Sequence, residues 1–172
     1  KKIFTTKETF DLAVKNHQKN NLQVAENLYE ETLKRNPNHV DAHNNLGIIF
    51  QALGEFHKAR SCYEKAIQIR PDAYAAYYNL GLVLKELEEF QKAVDCYQKS
   101  IQIQPNHADT HNNLGLVFKE LGEHQKAISC FEKAIEIQPN LANVHYNLGL
   151  VFKELSESQK AISCFKKTIQ IN

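Results

Sequence analysis

Apolar residues recur along this chain three and four positions apart in short blocks, and each block ends at a glycine or a proline. In the stretch 39–53, HVDAHNNLGIIFQAL, residues Leu46, Ile49, Phe50 and Leu53 follow helical spacing, which predicts an amphipathic helix. Gly54 offers a place for that helix to end, because glycine enters the left-handed region without a Cβ penalty. A second stretch, 57–69, repeats the spacing through Ala59, Tyr63, Ala66 and Ile67. Pro71 stops it, since the ring cannot continue the hydrogen-bond ladder and drives the preceding residue out of the helical region. Asp72, with Asn38, Asn106 and Asn140 after the other prolines, is expected to cap the next helix. The predicted unit is a pair of helices joined by short turns.

That unit is copied along the chain. Pro37, Pro71, Pro105 and Pro139 lie 34 residues apart, and so do Cys62, Cys96, Cys130 and Cys164. A fixed interval of this size marks a solenoid, in which each unit buries its apolar face only against its neighbours. Leu46-Gly47, Leu80-Gly81, Leu114-Gly115 and Leu148-Gly149 stand at one position of the frame. Glycine inside a helix costs about 1 kcal/mol against alanine, so a packing reason is expected there, namely a close approach of two backbones. Ala59, Ala93, Ala127 and Ala161 fill a second small position. Tyr63, Tyr97, Phe131 and Phe165 fill a large one, and Phe50, Leu84, Phe118 and Phe152 another, so small can interdigitate with large. The frame gives an N-terminal segment 1–5, a degenerate repeat 6–39, repeats 40–73, 74–107 and 108–141, and a truncated repeat 142–172. The start without methionine and the abrupt end at Asn172 read as a piece of a longer protein.

Composition narrows the partners. The chain has 172 residues, 42% hydrophobic and 24% charged, with a formal net charge of +1, so no global basic field attracts nucleic acid or an anionic membrane. No apolar run is long enough to cross a bilayer, and Lys1 to Thr6 lack the features of a signal peptide. Equivalent cysteines on packed helices are expected about 8–10 Å apart, beyond the roughly 7 Å that a disulfide tolerates. There is no C-x-x-C pair for zinc. Reduced, partly buried thiols suit a reducing compartment, and the expected location is the cytoplasm.

A 34-residue helix pair carrying Leu-Gly, an aromatic three residues later, then alanine, a second aromatic, Ala or Ser, and proline resembles the tetratricopeptide repeat (TPR). The resemblance covers essentially the whole chain. It departs at the family's tryptophan position, which holds Thr9, His43, Tyr77, His111 and His145. It implies an all-α solenoid of antiparallel helix pairs, wound into a right-handed superhelix whose first helices line a concave groove for a peptide or partner segment. It also implies a protein-interaction module without catalytic residues, cofactor or metal.

The candidate binding residues lie on the first helices. Asn45, Asn79, Asn113 and Asn147 each precede Leu-Gly, although asparagine is a mediocre helix former. An amide both donates and accepts, so such a row can grip the N–H and C=O of an extended peptide whatever its side chains. The row is similar to the asparagine ladder in the TPR superhelix of O-GlcNAc transferases; the alternative is a row that only bonds repeat to repeat. Beside it stand Asn44, Tyr78, Asn112 and Tyr146, which would discriminate among sequences. Asp41 and Asp109 are explained by helix-start charge complementation. A carboxylate-clamp mode is excluded, because the corresponding positions hold Phe10, Val14, Asn45, Ala75 and Asn79 in place of cations.

Other chemistry is poorly supported. His39/His43 and His107/His111 have metal-like spacing, but the first of each pair falls in a turn and the second at the buried aromatic position. Lys85-Glu86, Lys119-Glu120 and Lys153-Glu154 read as a solvated charged strip, and no nucleophile constellation or phosphate-cradling loop is present. The last helix, about 157–171, carries Ile162, Phe165, Ile169 and Ile171 without a cap, so end-to-end self-association through this face is expected. Two further readings stay open: the substrate-recruiting arm of a larger glycosyltransferase-like or other transferase enzyme, and a self-assembling structural scaffold.

Overall fold

A computed structural model describes residues 4–171; residues 1–3 of the expected N-terminal segment and Asn172 of the last repeat lie outside the described residues. The described residues form ten α-helices: α1 Thr6–Gln18, α2 Leu22–Arg35, α3 Val40–Ala52, α4 Phe56–Ile69, α5 Tyr74–Glu86, α6 Phe90–Ile103, α7 Ala108–Glu120, α8 His124–Ile137, α9 Ala142–Glu154 and α10 Ser158–Ile171. They fall into two compact units, one through Leu87 and one from Glu88. In the first unit α1 packs on α2, α3 on α4, and α2 and α4 hand on to α3 and α5. In the second, α7 packs on α8 and α9 on α10, with α6 against α7 and α8 against α9. Each unit is thus a stack of helix hairpins in which a helix meets its sequence neighbours.

The hairpins close on the glycines by a different contact from the one expected. A Cβ placed on Gly47 would lie 2.6 Å from the Tyr63 ring, one on Gly115 2.7 Å from the Phe131 ring, and one on Gly149 2.6 Å from the Phe165 ring. The glycine therefore admits an aromatic ring from the second helix, not another backbone. Tyr63 and Phe131 are fully buried, as are Ala59 and Ala127 on the same second helices. Burying such a ring contributes about 1.5–3 kcal/mol, more than the helix-propensity cost of the glycine.

The turns also differ in detail from the expectation. Pro37-Asn38 occupy the centre of a β-turn closed by the His39 N–H donating to the Asn36 carbonyl at 3.1 Å, and Pro71-Asp72 do the same under an Ala73-to-Arg70 bond of 3.2 Å. The helices therefore start one residue later than the capping rule suggested, with His39, Ala73, His107 and Leu141 at the N-cap. Only His39 of these caps with its side chain, Nδ1 accepting from the Ala42 N–H at 3.2 Å. The first helix has a full capping box, in which Glu8 N–H donates to Thr5 Oγ1 and Thr5 N–H to Glu8 Oε2. At the helix ends Gly54 and Gly122 take φ of +73° and +72°, while Asn20, Glu88 and Ser156 hold the same left-handed conformation without being glycine.

Small residues let one hairpin seat on the next. Val40, Ala66 and Ala76 form a buried cluster with Ile67, Ile69 and Ala73 around it, joining α3, α4 and the start of α5. Lysines close the other end of the hairpins: Lys58, Lys126 and Lys160 lie 5.1, 5.3 and 5.1 Å over the rings of Phe50, Phe118 and Phe152, and each pairs with Glu55, Glu123 or Glu157.

Gly115→Ala tests the ring-in-glycine contact. Alanine gains about 1 kcal/mol of helix propensity, and overpacking against a ring that cannot retreat costs about 1–3 kcal/mol. The expected result is a lower thermal midpoint by circular dichroism, partly restored by Phe131→Leu in the same chain. A midpoint raised by Gly115→Ala alone would show the slot to be empty.

Candidate functional site

The first helices carry the candidate residues, and their positions follow from the core-facing stripe. On α3 that stripe is Leu46, Ile49 and Phe50, all buried, which leaves Asp41, Asn44, Asn45 and Ile48 toward other faces. The same arithmetic places Tyr78, Asn79 and Leu82 on α5, Asn112, Asn113 and Leu116 on α7, and Tyr146, Asn147 and Leu150 on α9.

The amides form pairs between neighbouring first helices. Asn79 Nδ2 donates to Asn44 Oδ1 at 3.1 Å, joining α5 to α3. Asn147 Nδ2 donates to Asn112 Oδ1 at 3.0 Å, joining α9 to α7. Asn45 Nδ2 donates to the Tyr29 hydroxyl at 3.3 Å, and that hydroxyl also lies 3.4 Å from His17 Nδ1. Burial holds the His17 imidazole below its usual pKa, which favours the neutral ring. Asn113 is half-buried on α7. One amide hydrogen of Asn79 and of Asn147 is therefore committed to the neighbouring repeat, while each keeps a second N–H and its carbonyl oxygen.

Exposure separates the eight candidates. Asn45, Asn79, Asn113 and Asn147 are half-buried, as are Asn44 and Tyr78. Asn112 is only 6% exposed, so it serves as the acceptor that orients Asn147. Tyr146 is 48% exposed with its ring 5.7 Å from that of Phe165. Ile48, Leu82, Leu116 and Leu150 escaped the reading of the sequence. They stand one turn after Asn44, Tyr78, Asn112 and Tyr146 and are half-buried, adding a pair of aliphatic side chains beside the amides in each unit. The signal was an apolar residue directly after each glycine, off the core stripe.

Near Asn44 lies a cleft of about 310 Å³, lined also by Asp41, Arg70, Asp72 and Tyr74. Asp41 and Arg70 face each other across it at 3.5 Å, both about half exposed. The charged strip is partly paired: Lys85 with Glu86 at 3.2 Å, and Lys119 with Glu154 at 3.4 Å from the next first helix.

The histidines at the tryptophan position have a structural task. His43, His111 and His145 each place Nε2 2.9 Å from the carbonyl of Pro37, Pro105 or Pro139, so the ring N–H donates to the preceding turn. Burial keeps His43 below its usual pKa despite that bond. His107 Nδ1 meets Thr110 Oγ1 at 2.6 Å. Two clefts lie beside these rings, lined by Leu33, His43, Leu46 and Cys62 in one unit and Ile101, His111, Leu114 and Cys130 in the other. The thiols there are pushed up to about 11 by burial at Cys62 and Cys130, which keeps them protonated at neutral pH. All four cysteines are free. No described helix is long and apolar enough to cross a membrane.

Hairpins of this kind, stacked through small residues and joined by hydrogen bonds between asparagine side chains of first helices, define a helical repeat scaffold. The family follows from comparison. Models of the tetratricopeptide repeat match residues 72–140, 40–73, 130–163 and 18–55. The crystal structure of MamA is 30% identical over 98% of this chain and 96% of that chain, with a TM-score of 0.88. The chain belongs to the tetratricopeptide repeat family. Its fold is also similar to that of YrrB, a TPR protein with an unusual peptide-binding site, at 23% identity over 98% of this chain and 87% of that one with a TM-score of 0.83. Pseudomonas aeruginosa pilF is similar at 22% identity over 97% of this chain and 76% of that one, with a TM-score of 0.87. No curated protein matches the chain.

Proposed function

We propose that this chain is a non-enzymatic interaction module that holds an extended peptide or partner segment along its first helices. The observation that carries the reading is the pairing of Asn79 with Asn44 and of Asn147 with Asn112, which fixes amide side chains in place and still leaves each donor amide an N–H and a C=O for a ligand backbone. Pre-positioned groups lose little freedom on binding, so weak individual bonds add to useful affinity. Ile48 with Leu82 in one unit, and Leu116 with Leu150 in the other, supply apolar contact beside them. A net charge of +1 supports a peptide ligand over nucleic acid. Four thiols kept in the reduced form support a cytoplasmic location. The peptide-binding site in YrrB is consistent with a ligand of this type on this fold.

The test is selection of a random seven-residue peptide library on the immobilised protein, followed by calorimetry on the wild type and on Asn79→Ala/Asn147→Ala. A hydrogen bond is worth roughly 0.5–1.5 kcal/mol, so loss of two is expected to weaken the selected peptide roughly fivefold to a hundredfold at unchanged helicity. An unchanged dissociation constant would remove the asparagines from the site.

Exposure at α10 supports a second reading, tail-to-tail self-association. Ile162 is 46% and Ile169 76% exposed, whereas Val94 and Ile128, at the position of Ile162 in α6 and α8, are 3% and 9% exposed. The first helix does not complement this face. Glu8 and Lys15, both exposed, stand where the following repeats bury Ala42 and Ile49 completely, so a second copy meets α10 through its own α10 and forms a closed, two-fold pair. Light scattering over a dilution series is expected to show a dimer that Ile162→Glu/Ile169→Glu converts to monomer; a monomer at every concentration would refute it.

A further inference from the structure

Features of the first helices recur every second repeat, not every repeat. His39 and Asp41 return as His107 and Asp109, 68 residues later; Asn44 returns as Asn112, and Gly54 as Gly122. The intervening repeats carry tyrosine at the equivalent place, Tyr78 and Tyr146. The hydrogen bonds follow the same double period, with Asn79 to Asn44 at 3.1 Å in one unit and Asn147 to Asn112 at 3.0 Å in the other. The composite of α3 with α5 therefore reappears as α7 with α9 in these features: a bridged amide pair, a tyrosine preceding the donor asparagine, an aspartate one turn before the acceptor asparagine, and Ile48 with Leu82 or Leu116 with Leu150 beside them.

From this we infer that the chain carries two equivalent peptide seats, α3/α5 and α7/α9, each taking one short extended segment with an apolar side chain and a neighbouring basic one. The inference rests on the peptide-binding reading above and goes beyond it in stoichiometry and ligand chemistry. Within each seat the donor asparagine, Asn79 or Asn147, meets the ligand backbone, and Asn44 or Asn112 acts as a positioning residue that holds the donor's rotamer. The apolar side chain lies against the tyrosine and the two aliphatic residues. The basic side chain is called for by the carboxylates: Asp41 and Asp72 line the cleft of the first seat, where Arg70 pairs with Asp41, and in the second seat exposed Asp109 stands with Gln138 and Asn140 at the positions of Arg70 and Asp72. The two seats therefore carry the same net charge of one carboxylate, and the second differs in presenting Asp109 without a neighbouring arginine. Two seats on one chain suit a partner that repeats a short motif, since the second contact then forms within an already tethered complex.

Calorimetry with one selected seven-residue peptide decides the stoichiometry. The expected value is two peptides per chain. Tyr78→Ala/Asn79→Ala and Tyr146→Ala/Asn147→Ala should each lower it to one, leaving the remaining seat within about threefold of its wild-type dissociation constant; circular dichroism of both variants verifies that the helices persist. As a second variant, Asp109→Asn should weaken one class of site and leave the other unchanged. One peptide per chain, abolished by either double variant, would overturn the two seats and keep the peptide-binding reading. Binding untouched by both double variants, or no peptide recovered from the library, would overturn both.

Discussion

An aromatic ring set into the space of a missing Cβ governs the geometry of these hairpins. Tyr63, Phe131 and Phe165 approach Gly47, Gly115 and Gly149 so closely that no other residue type fits beneath them. The contact fixes where a second helix sits along its first helix, and Ala59, Ala127 and Ala161 on the second helices leave room for that approach. Once the hairpin is fixed, the small residues at its open edge, such as Ala66 and Ala76, determine how the next first helix seats. The prolines and imidazoles complete the joint: a turn centred on Pro37-Asn38 is held by the His43 ring, and the ring bond to the proline carbonyl returns at His111 and His145. Each constraint is short in range, which is why a chain of two-helix copies needs no closed core.

The proposed function rests on what this packing leaves uncommitted. A core stripe that takes Leu46, Ile49 and Phe50 turns Asn44, Asn45 and Ile48 away from the interior. Asparagine in mid-helix weakens the helix, and here it is retained while the hairpin and joint contacts supply the stability. Part of each donor amide goes to the neighbouring repeat. That bond does two things at once: it ties consecutive first helices and it prevents the amide from collapsing onto its own backbone.

Much of this could be read from residue order alone, and the reason is physical. Proline, glycine and the hydrophobic period act locally, so the ends and types of the helices follow from neighbours within a few residues. The cap position was read one residue early because Pro37-Asn38 and Pro71-Asp72 use their turn-forming power for a β-turn, and helix starts fall after it. The partner of Gly47 was read as a backbone because helical propensity reports only that space is needed, not that the Tyr63 ring, sixteen residues on, fills it. The asparagine row was visible as a recurrence, but its pairing was not. Asn79 meets Asn44 and not Asn45, a choice set by how neighbouring first helices pack, which spacing along one helix does not encode. The aliphatic residues Ile48, Leu82, Leu116 and Leu150 were legible and were obscured by the core residues that surround them in sequence.

The central claim is that these first-helix amides, steadied by their neighbours, are what a ligand backbone meets. Side-chain amide resonances in ¹⁵N-labelled protein report on it directly. On addition of a selected peptide, the Nδ2 signals of Asn79 and Asn147 should move and exchange more slowly with solvent. Those signals staying fixed while resonances of the second helices shift would place the ligand on the opposite side of the hairpins and contradict the account.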